Sequence, residues 1–278
     1  MPQLWVALPD SSISDEQTKR DKSIKIAQFA RACSIFRVKR IYLYHDTMTQ
    51  SEKSDALLLK TILEFLDTPQ YLRKILYPRI PQLEYAGVLP PIKTPHHRPF
   101  ENIKRVEAGD LRTGVIVKVR GQLYVEVGLG SLVPFLGDGF EGKKVNVKFS
   151  SSYPRLKAMQ AGEDEILEYW GYEVKEVPSL SRLLRSIDKT EVIFTSRKGK
   201  NFKNSEAKLA ISTKNVENIL VVFGAPKYGI HEILANEGTT LNPSAFVINM
   251  FPNQATETVR IEEALLGSLA VLNSSLGL

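Results

Sequence analysis

Apolar and polar positions along this chain follow two different rhythms. Leu4-Trp5-Val6-Ala7-Leu8 is an unbroken apolar run of strand length, the pattern of a strand buried on both faces. After a polar loop from Pro9 to Gln17, the apolar residues Ile24, Ala27, Phe29, Ala30 and Ile35 recur at roughly helical spacing. They predict a helix from about Lys19 to Phe36. Arg40 to His45 reads as a second strand and Ser54 to Leu66 as a helix. Pro69, a residue favoured at the first helical position, opens a further helix. Alternating strands and helices predict an α/β layered domain with a parallel sheet.

The rhythm changes between about Gly87 and Glu165. Pro90, Pro91, Pro95 and Pro99 mark a rigid approach. From Thr113 to Gly128 apolar and polar residues largely alternate, with Gly121 at the bend, which predicts a hairpin. Lys144 to Phe149 alternates in the same way. Short antiparallel strands separated by glycine resemble a small barrel of the OB type. The predicted organisation is therefore a discontinuous α/β domain, residues 1–88 and 166–278, interrupted by an inserted β-barrel domain, residues 89–165. In the second half strands are predicted at Tyr172 to Lys175, Glu191 to Thr195, Asn218 to Phe223 and Ala245 to Phe251. Helices are predicted at Ser179 to Ile187, Tyr228 to Ala235 and Thr258 to Leu272.

The 278 residues include 43% hydrophobic and 24% charged positions, an ordinary globular balance. No apolar run is long enough to span a bilayer, and the N-terminus does not read as a secretory signal. Cys33 is the one cysteine. It excludes an internal disulfide or a cysteine metal cluster, suits a reducing cytoplasm, and reads as a small core residue on its helix. Adjacent His96 and His97 point to opposite faces if the chain there is extended, which argues against a metal pair.

The net charge is +6, and its distribution matters more than its size. Eight basic residues lie between Lys19 and Arg40, opposed only by Asp21. A second cluster holds Arg197, Lys198, Lys200 and Lys203. After Lys214 the only Lys or Arg residues are Lys227 and Arg260, against six carboxylates. The early part suits a polyanion; alternatively, the charged helix is simply a solvated face.

Three turns follow predicted strands in the last third: Phe194 to Gly199, Phe223 to Gly229 and Ile248 to Thr256. Ligands of open parallel sheets bind beyond the carboxyl ends of strands. Gly224 and Gly229 permit close backbone approach, and Pro226 and Pro252 stiffen the loops. The same residues are also normal punctuation of strand-to-helix turns.

The run Phe251-Pro252-Asn253-Gln254-Ala255-Thr256-Glu257-Thr258-Val259-Arg260-Ile261-Glu262-Glu263-Ala264-Leu265 resembles the signature of the SPOUT (SpoU–TrmD) class of methyltransferases. It is closer still to an archaeal and eukaryotic subfamily with an inserted OB-like domain. Leu8-Pro9-Asp10-Ser11-Ser12-Ile13-Ser14, Arg20-Asp21-Lys22, Gln28-Phe29-Ala30-Arg31-Ala32 and Ile35-Phe36-Arg37-Val38 are similar to that subfamily's start. The resemblance covers nearly the whole chain. It implies a SPOUT-type parallel sheet with a C-terminal trefoil knot, a feature that topology rules alone disfavour. It also implies a bent S-adenosylmethionine bound in the knot, and a homodimer in which one subunit completes the other's active site.

Under that resemblance the three turns become a cofactor pocket. Its walls are Thr195, Ser196 and Gly199; Gly224, Pro226 and Gly229; and Ile248, Asn249, Gln254 and Thr256. Thr258 and Ala264 close it. The acidic last segment suits a cationic sulfonium. Arg20 and Arg31 are the candidate catalytic residues, stabilising an anionic uridine, and Lys22 and Lys25 are candidate phosphate contacts. Asp10 and Ser11 either face the cavity or cap a turn. On the insert, Lys118, Arg120, Tyr124, Lys148 and Phe100 are candidate RNA contacts, with core packing or solvation as the other reading. The expected activity is methyl transfer to a base or ribose of structured RNA, with ribosomal RNA the leading target and uridine N3 one candidate acceptor. No histidine or carboxylate stands out as a general base. A non-catalytic RNA-binding or ribosome-assembly factor that retains the fold is the alternative.

Overall fold

The structure is a computed structural model that describes residues 2–49, 53–99 and 102–277. The first apolar run forms β1 (Gln3–Pro9), buried along nearly its whole length. In α1 (Lys19–Ile35) the helix is capped by Thr18, whose hydroxyl accepts the Asp21 N–H. β2 (Arg40–Tyr44), α2 (Lys53–Asp67) and α3 (Gln70–Leu76) follow. Pro69 is the N-cap of α3 rather than its first helical residue.

The middle of the chain supplies β3 (Leu111–Val119), β4 (Gln122–Glu126), β5 (Val133–Pro134), β6 (Lys144–Ser151) and β7 (Lys157–Gln160). The last third supplies β8 (Glu173–Val177), α4 (Leu180–Ser186), β9 (Thr190–Asn201), α5 (Phe202–Ser212), β10 (Asn218–Val222), α6 (Ile230–Asn236), β11 (Phe246–Asn249) and α7 (Ile261–Leu276). α5 has no counterpart among the predicted helices, although Asn201 caps it by accepting the Lys203 N–H. The last helix begins at Ile261, so Thr258 precedes it.

The chain divides into two compact units. The first comprises Met1–Glu64, Gln82–Pro90 and Tyr172–Leu278; the second comprises Phe65–Pro81 and Pro91–Gly171. The second unit thus also takes up α3, which the sequence pattern assigns to the α/β layer.

The first unit is built on a six-stranded sheet in the order β11-β9-β10-β1-β2-β8. Every pairing is parallel, so all strand carboxyl ends reach one edge. One face packs Trp5, Ala7, Tyr42, Tyr44, Leu220 and Val222 against α4 and α6. Side chains alternate along strands, so Val6, Leu8, Ile41 and Leu43 take the other face. α1 lies against α7. Cys33 is fully buried on α1, and burial pushes its thiol pKa up.

β9 meets β11 twice. Phe246 and Val247 pair with Ile193 and Phe194, while Ile248 and Asn249 pair with Lys200 and Asn201. Residues 195–199 therefore leave the ladder and return to it. They return at Gly199, where a β-carbon would stand 2.7 Å from the main chain of Val247 and Ile248.

The second unit holds an antiparallel sheet in the order β5-β4-β3-β6-β7. A bridge between Phe135 and Ala158 joins its two edges, with the Leu136 N–H donating to the Ala158 carbonyl at 2.7 Å. Ile116, Val125, Phe135, Val147 and Phe149 fill the interior. The β3–β4 bend falls at Arg120 and Gly121, both at positive φ (50° and 84°), as a two-residue hairpin turn requires.

His96 and His97 do not lie on an extended chain. They sit in one 3-10 turn, Pro95–His97, and both Nε2 atoms are 2.8 Å from the Asp67 carbonyl oxygen. Lys144 reaches the Asp67 carboxylate at 3.1 Å. The pair anchors the end of α2 within this unit. Among the described residues no cluster suited to a metal ion is found, and no helix is long and apolar enough to cross a membrane.

Two stability tests follow from this packing. Gly199→Ala should destabilise the protein by about 1–3 kcal/mol, because main chain cannot move aside as a side chain can; denaturant unfolding measures it. Burial, opposed by Asp67, pushes the His96 pKa down from 6.5 to about 4. The unfolded state then binds a proton the native state refuses between those values. Stability should be highest above pH 6.5 and fall towards pH 4, on the order of 3 kcal/mol from this group. Melting curves of wild type and His96→Gln across that range should converge as pH falls, and parallel curves would contradict it.

Candidate functional site

The cavity of the first unit opens at the carboxyl edge of β9, β10 and β11. It has a volume of about 850 Å3, within the range of small-molecule sites. Thr195, Ser196, Arg197 and Lys198, from the excursion of β9, form one wall. Phe223 to Gly229 form the second, a loop closed by the Ala225 N–H donating to the Tyr228 carbonyl at 2.9 Å. Gly224 sits inside that closure: a β-carbon there would be 3.1 Å from the Tyr228 carbonyl oxygen. The third wall is Ile248 to Phe251 with Gln254, and Glu257 to Ile261 lead into α7, which adds Ala264 and Ser268.

Ten of the twelve residues expected to form the pocket line this cavity: Thr195, Ser196, Gly224, Pro226, Gly229, Ile248, Asn249, Gln254, Thr258 and Ala264. Gly199 and Thr256 are not among its lining residues. Gly199 serves the close crossing of β9 and β11. Thr256 instead offers its carbonyl to the Gln254 amide at 3.0 Å, which bends the chain before α7.

The floor is apolar, with Phe223, Ile248 and Met250 buried. Phe251 lies over Gly267 of α7, where a β-carbon would come within 2.4 Å of its ring. The rim is polar and local: the Asn249 amide donates to the Arg197 carbonyl at 3.0 Å, and the Thr195 hydroxyl to the Val222 carbonyl at 2.9 Å.

The charge of the cavity differs from the expectation of an acidic pocket. Arg197, Lys198, Lys227 and Arg260 line it alongside Asp15, Glu232 and Glu257. The second basic cluster of the sequence thus begins at the cavity wall, since the β9 excursion carries it there.

The basic run of α1 separates into two populations. Lys25 is 3% exposed and holds Asp15 at 2.6 Å and Glu262 at 3.0 Å. Lys22 holds Asp55 at 2.6 Å and is only 17% exposed. The expected phosphate role does not suit either residue: both are inward-facing ion-pair partners. Lys25 in particular joins α1, α7 and the loop carrying Asp15 to the cavity. Arg20 and Arg31 are exposed, and eleven residues are about three helical turns, so they share one face.

Asp10 and Ser11 do not line the cavity. Asp10 meets His45 Nδ1 at 2.7 Å and the Asp46 N–H at 3.0 Å, and the Ser11 hydroxyl donates to Asp46 at 2.6 Å. On the second unit, Lys118, Arg120 and Tyr124 belong to the β3–β4 hairpin, with Lys118 opposite Leu123 and Tyr124 opposite Val117, on alternate faces. Lys148 pairs with Glu165 and stands opposite Leu111. Eight residues of strand, roughly 26 Å, separate it from the hairpin turn. Phe100 lies outside the described residues.

A parallel sheet whose carboxyl-edge loops enclose a mixed apolar and polar cavity defines an α/β protein with a small-molecule site at its sheet edge. The sequence places it more narrowly. Residues 3–272 match the family model described as "Putative RNA methyltransferase", and the chain belongs to that family. It is 30% identical over 312 aligned positions to a 28S rRNA (uridine-N(3))-methyltransferase of Drosophila melanogaster, covering 98% of this chain and 62% of the relative. An uncharacterized protein of Haloarcula marismortui is 31% identical, with 96% of this chain and 97% of the relative aligned. The human protein named 28S rRNA (uridine-N(3))-methyltransferase is 27% identical, with 98% and 78% aligned.

Removing Lys25 tests its placement. Lys25→Ala leaves two carboxylates facing each other beside α7, so it should cost about 3–5 kcal/mol. Arg20→Ala, at an exposed position, should shift stability by less than about 0.5 kcal/mol. Chemical denaturation of the two variants distinguishes a buried tie from a phosphate contact.

Proposed function

We propose that this protein transfers a methyl group from S-adenosylmethionine to N3 of a uridine in ribosomal RNA. The observation that carries the reading is the cavity at the carboxyl edge of β9, β10 and β11, in a chain matched along 3–272 to an RNA methyltransferase family. The relatives named for uridine N3 chemistry supply the acceptor atom.

The cavity's residues fit the cofactor. Phe223, Ile248 and Met250 offer an apolar floor for a purine, and the main chain of the Phe223 to Gly229 loop offers hydrogen-bonding groups to its edge. Thr195, Ser196, Asn249 and Gln254 are neutral polar groups at the rim, suited to the polar parts of the cofactor. When bound, the cofactor supplies an electrophilic methyl group: a bond forms to the acceptor nitrogen while the carbon–sulfur pair returns to sulfur. The chain's part is to align donor and acceptor and to exclude water.

The finer architecture is part of the proposal. The double engagement of β11 with β9 around residues 195–199 supports a SPOUT-type trefoil knot in this segment. The joined edges of the antiparallel sheet support an OB-like insert, with Lys118, Arg120 and Tyr124 as its RNA contacts. Arg20, Arg31 and Ile35 are exposed on α1, and Leu266 is exposed on α7, the helix that α1 packs against. This combination suits a homodimer in which the two arginines serve the partner's bound RNA.

Isothermal calorimetry with S-adenosylmethionine tests the reading. Wild type should bind, and Ala264→Phe, which fills the cavity from α7, should bind at least tenfold more weakly while melting normally. Absence of binding to wild type would support a non-catalytic assembly factor instead.

A further inference from the structure

We propose that His45, held by Asp10, is the proton acceptor of the reaction. The proposal rests on the methyl-transfer reading above and names the group that reading lacks. An imide nitrogen such as uridine N3 must lose its hydrogen to become a nucleophile, and a positioned side chain is the usual recipient.

His45 follows β2 directly, at the same sheet edge as the cavity. Its side chain is 54% exposed, while the Asp10 side chain beneath it is 12% exposed. Nδ1 lies 2.7 Å from one Asp10 oxygen, and the other Asp10 oxygen accepts the Asp46 N–H at 3.0 Å. A carboxylate held in this way only accepts, so it fixes the hydrogen on Nδ1. Nε2 is left with a free lone pair. This is the base-plus-orienter geometry used in proton transfer on many folds.

The dyad is rigidly built. Asp46 is fully buried and accepts from the Ser11 hydroxyl and the Met48 N–H. The His45 N–H donates to the Val177 carbonyl at 3.1 Å. Thr47 accepts from Asn236 of α6 at 2.8 Å. The neighbouring Tyr44 phenol is fully buried, and burial, followed by the carboxylates Asp46, Glu237 and Asp10, raises its pKa.

His45 and Asp10 are not among the cavity's lining residues, and two links connect them to its wall. The Tyr44 hydroxyl donates to the carbonyl of Phe223, the first residue of the second wall, at 2.6 Å. The loop that begins at Asp10 folds through consecutive turns, with Ser11 and Ile13 fully buried. It reaches the cavity wall at Asp15.

In the proposed step, Nε2 takes the N3 hydrogen as the N3–methyl bond forms, and the resulting imidazolium later releases that proton to water. The test is the pH dependence of kcat for steady-state methylation of ribosomal RNA at saturating cofactor. Wild type should rise with pH to a plateau. His45→Gln should lower kcat about 100-fold, leave cofactor binding unchanged and lose that rise. Asp10→Asn should lower kcat with little change in KM, and added imidazole should partly restore His45→Gly. Melting curves confirm that each variant is folded. Unchanged kcat and pH profile in His45→Gln, with wild type active, would overturn the proposal alone. Wild type that methylates no uridine N3 would overturn the reading beneath it, and the proposal with it.

Discussion

The cavity exists because β11 engages β9 on both sides of a five-residue excursion, residues 195–199. A regular parallel pair would bring Thr195 to Lys198 into the ladder and leave no wall there. Leaving and rejoining the strand requires that two main chains nearly touch, and Gly199 is where they do. The same crossing sets Ile248 and Asn249 opposite the first wall. A backbone constraint at one glycine thus decides whether three turns are separate connections or one enclosed site.

Electrostatics divides along burial rather than along the sequence. The basic run of α1 looks uniform as text, yet Lys22 and Lys25 turn inward to carboxylates while Arg20 and Arg31 stay outside. Burying Lys25 is tolerable because Asp15 and Glu262 both reach it; unpaired, its charge would be costly. Arg197 and Lys198 move the other way, from an apparently remote cluster to the cavity wall. The rim is therefore mixed in sign.

Much of the fold is legible because burial on both faces leaves unbroken apolar runs. β1, β2 and β10 follow from Leu4 to Leu8, Ile41 to Tyr44 and Ile219 to Val222. α5 is amphipathic only through Phe202, Ser205 and Leu209, a stripe too thin to stand out beside Lys203 and Lys208. β5 is two residues, Val133 and Pro134, and exists only through its pairing with β4. In the site, glycine and proline mark the turns because local backbone needs are written locally. The roles of Gly199, Lys25 and His45 are set by partners far away in the chain, so residue type alone does not show them. The placement of His96 and His97 escapes the sequence for a related reason: the Pro95–His97 turn brings together side chains that an extended strand would separate.

The central claim is that this cavity and its surroundings methylate uridine N3. The most direct measurement is nucleoside mass spectrometry of ribosomal RNA incubated with the protein and methyl-labelled S-adenosylmethionine. The account predicts label in 3-methyluridine at a defined position. Label in another nucleoside or in ribose, or no label from protein that binds the cofactor, would contradict it.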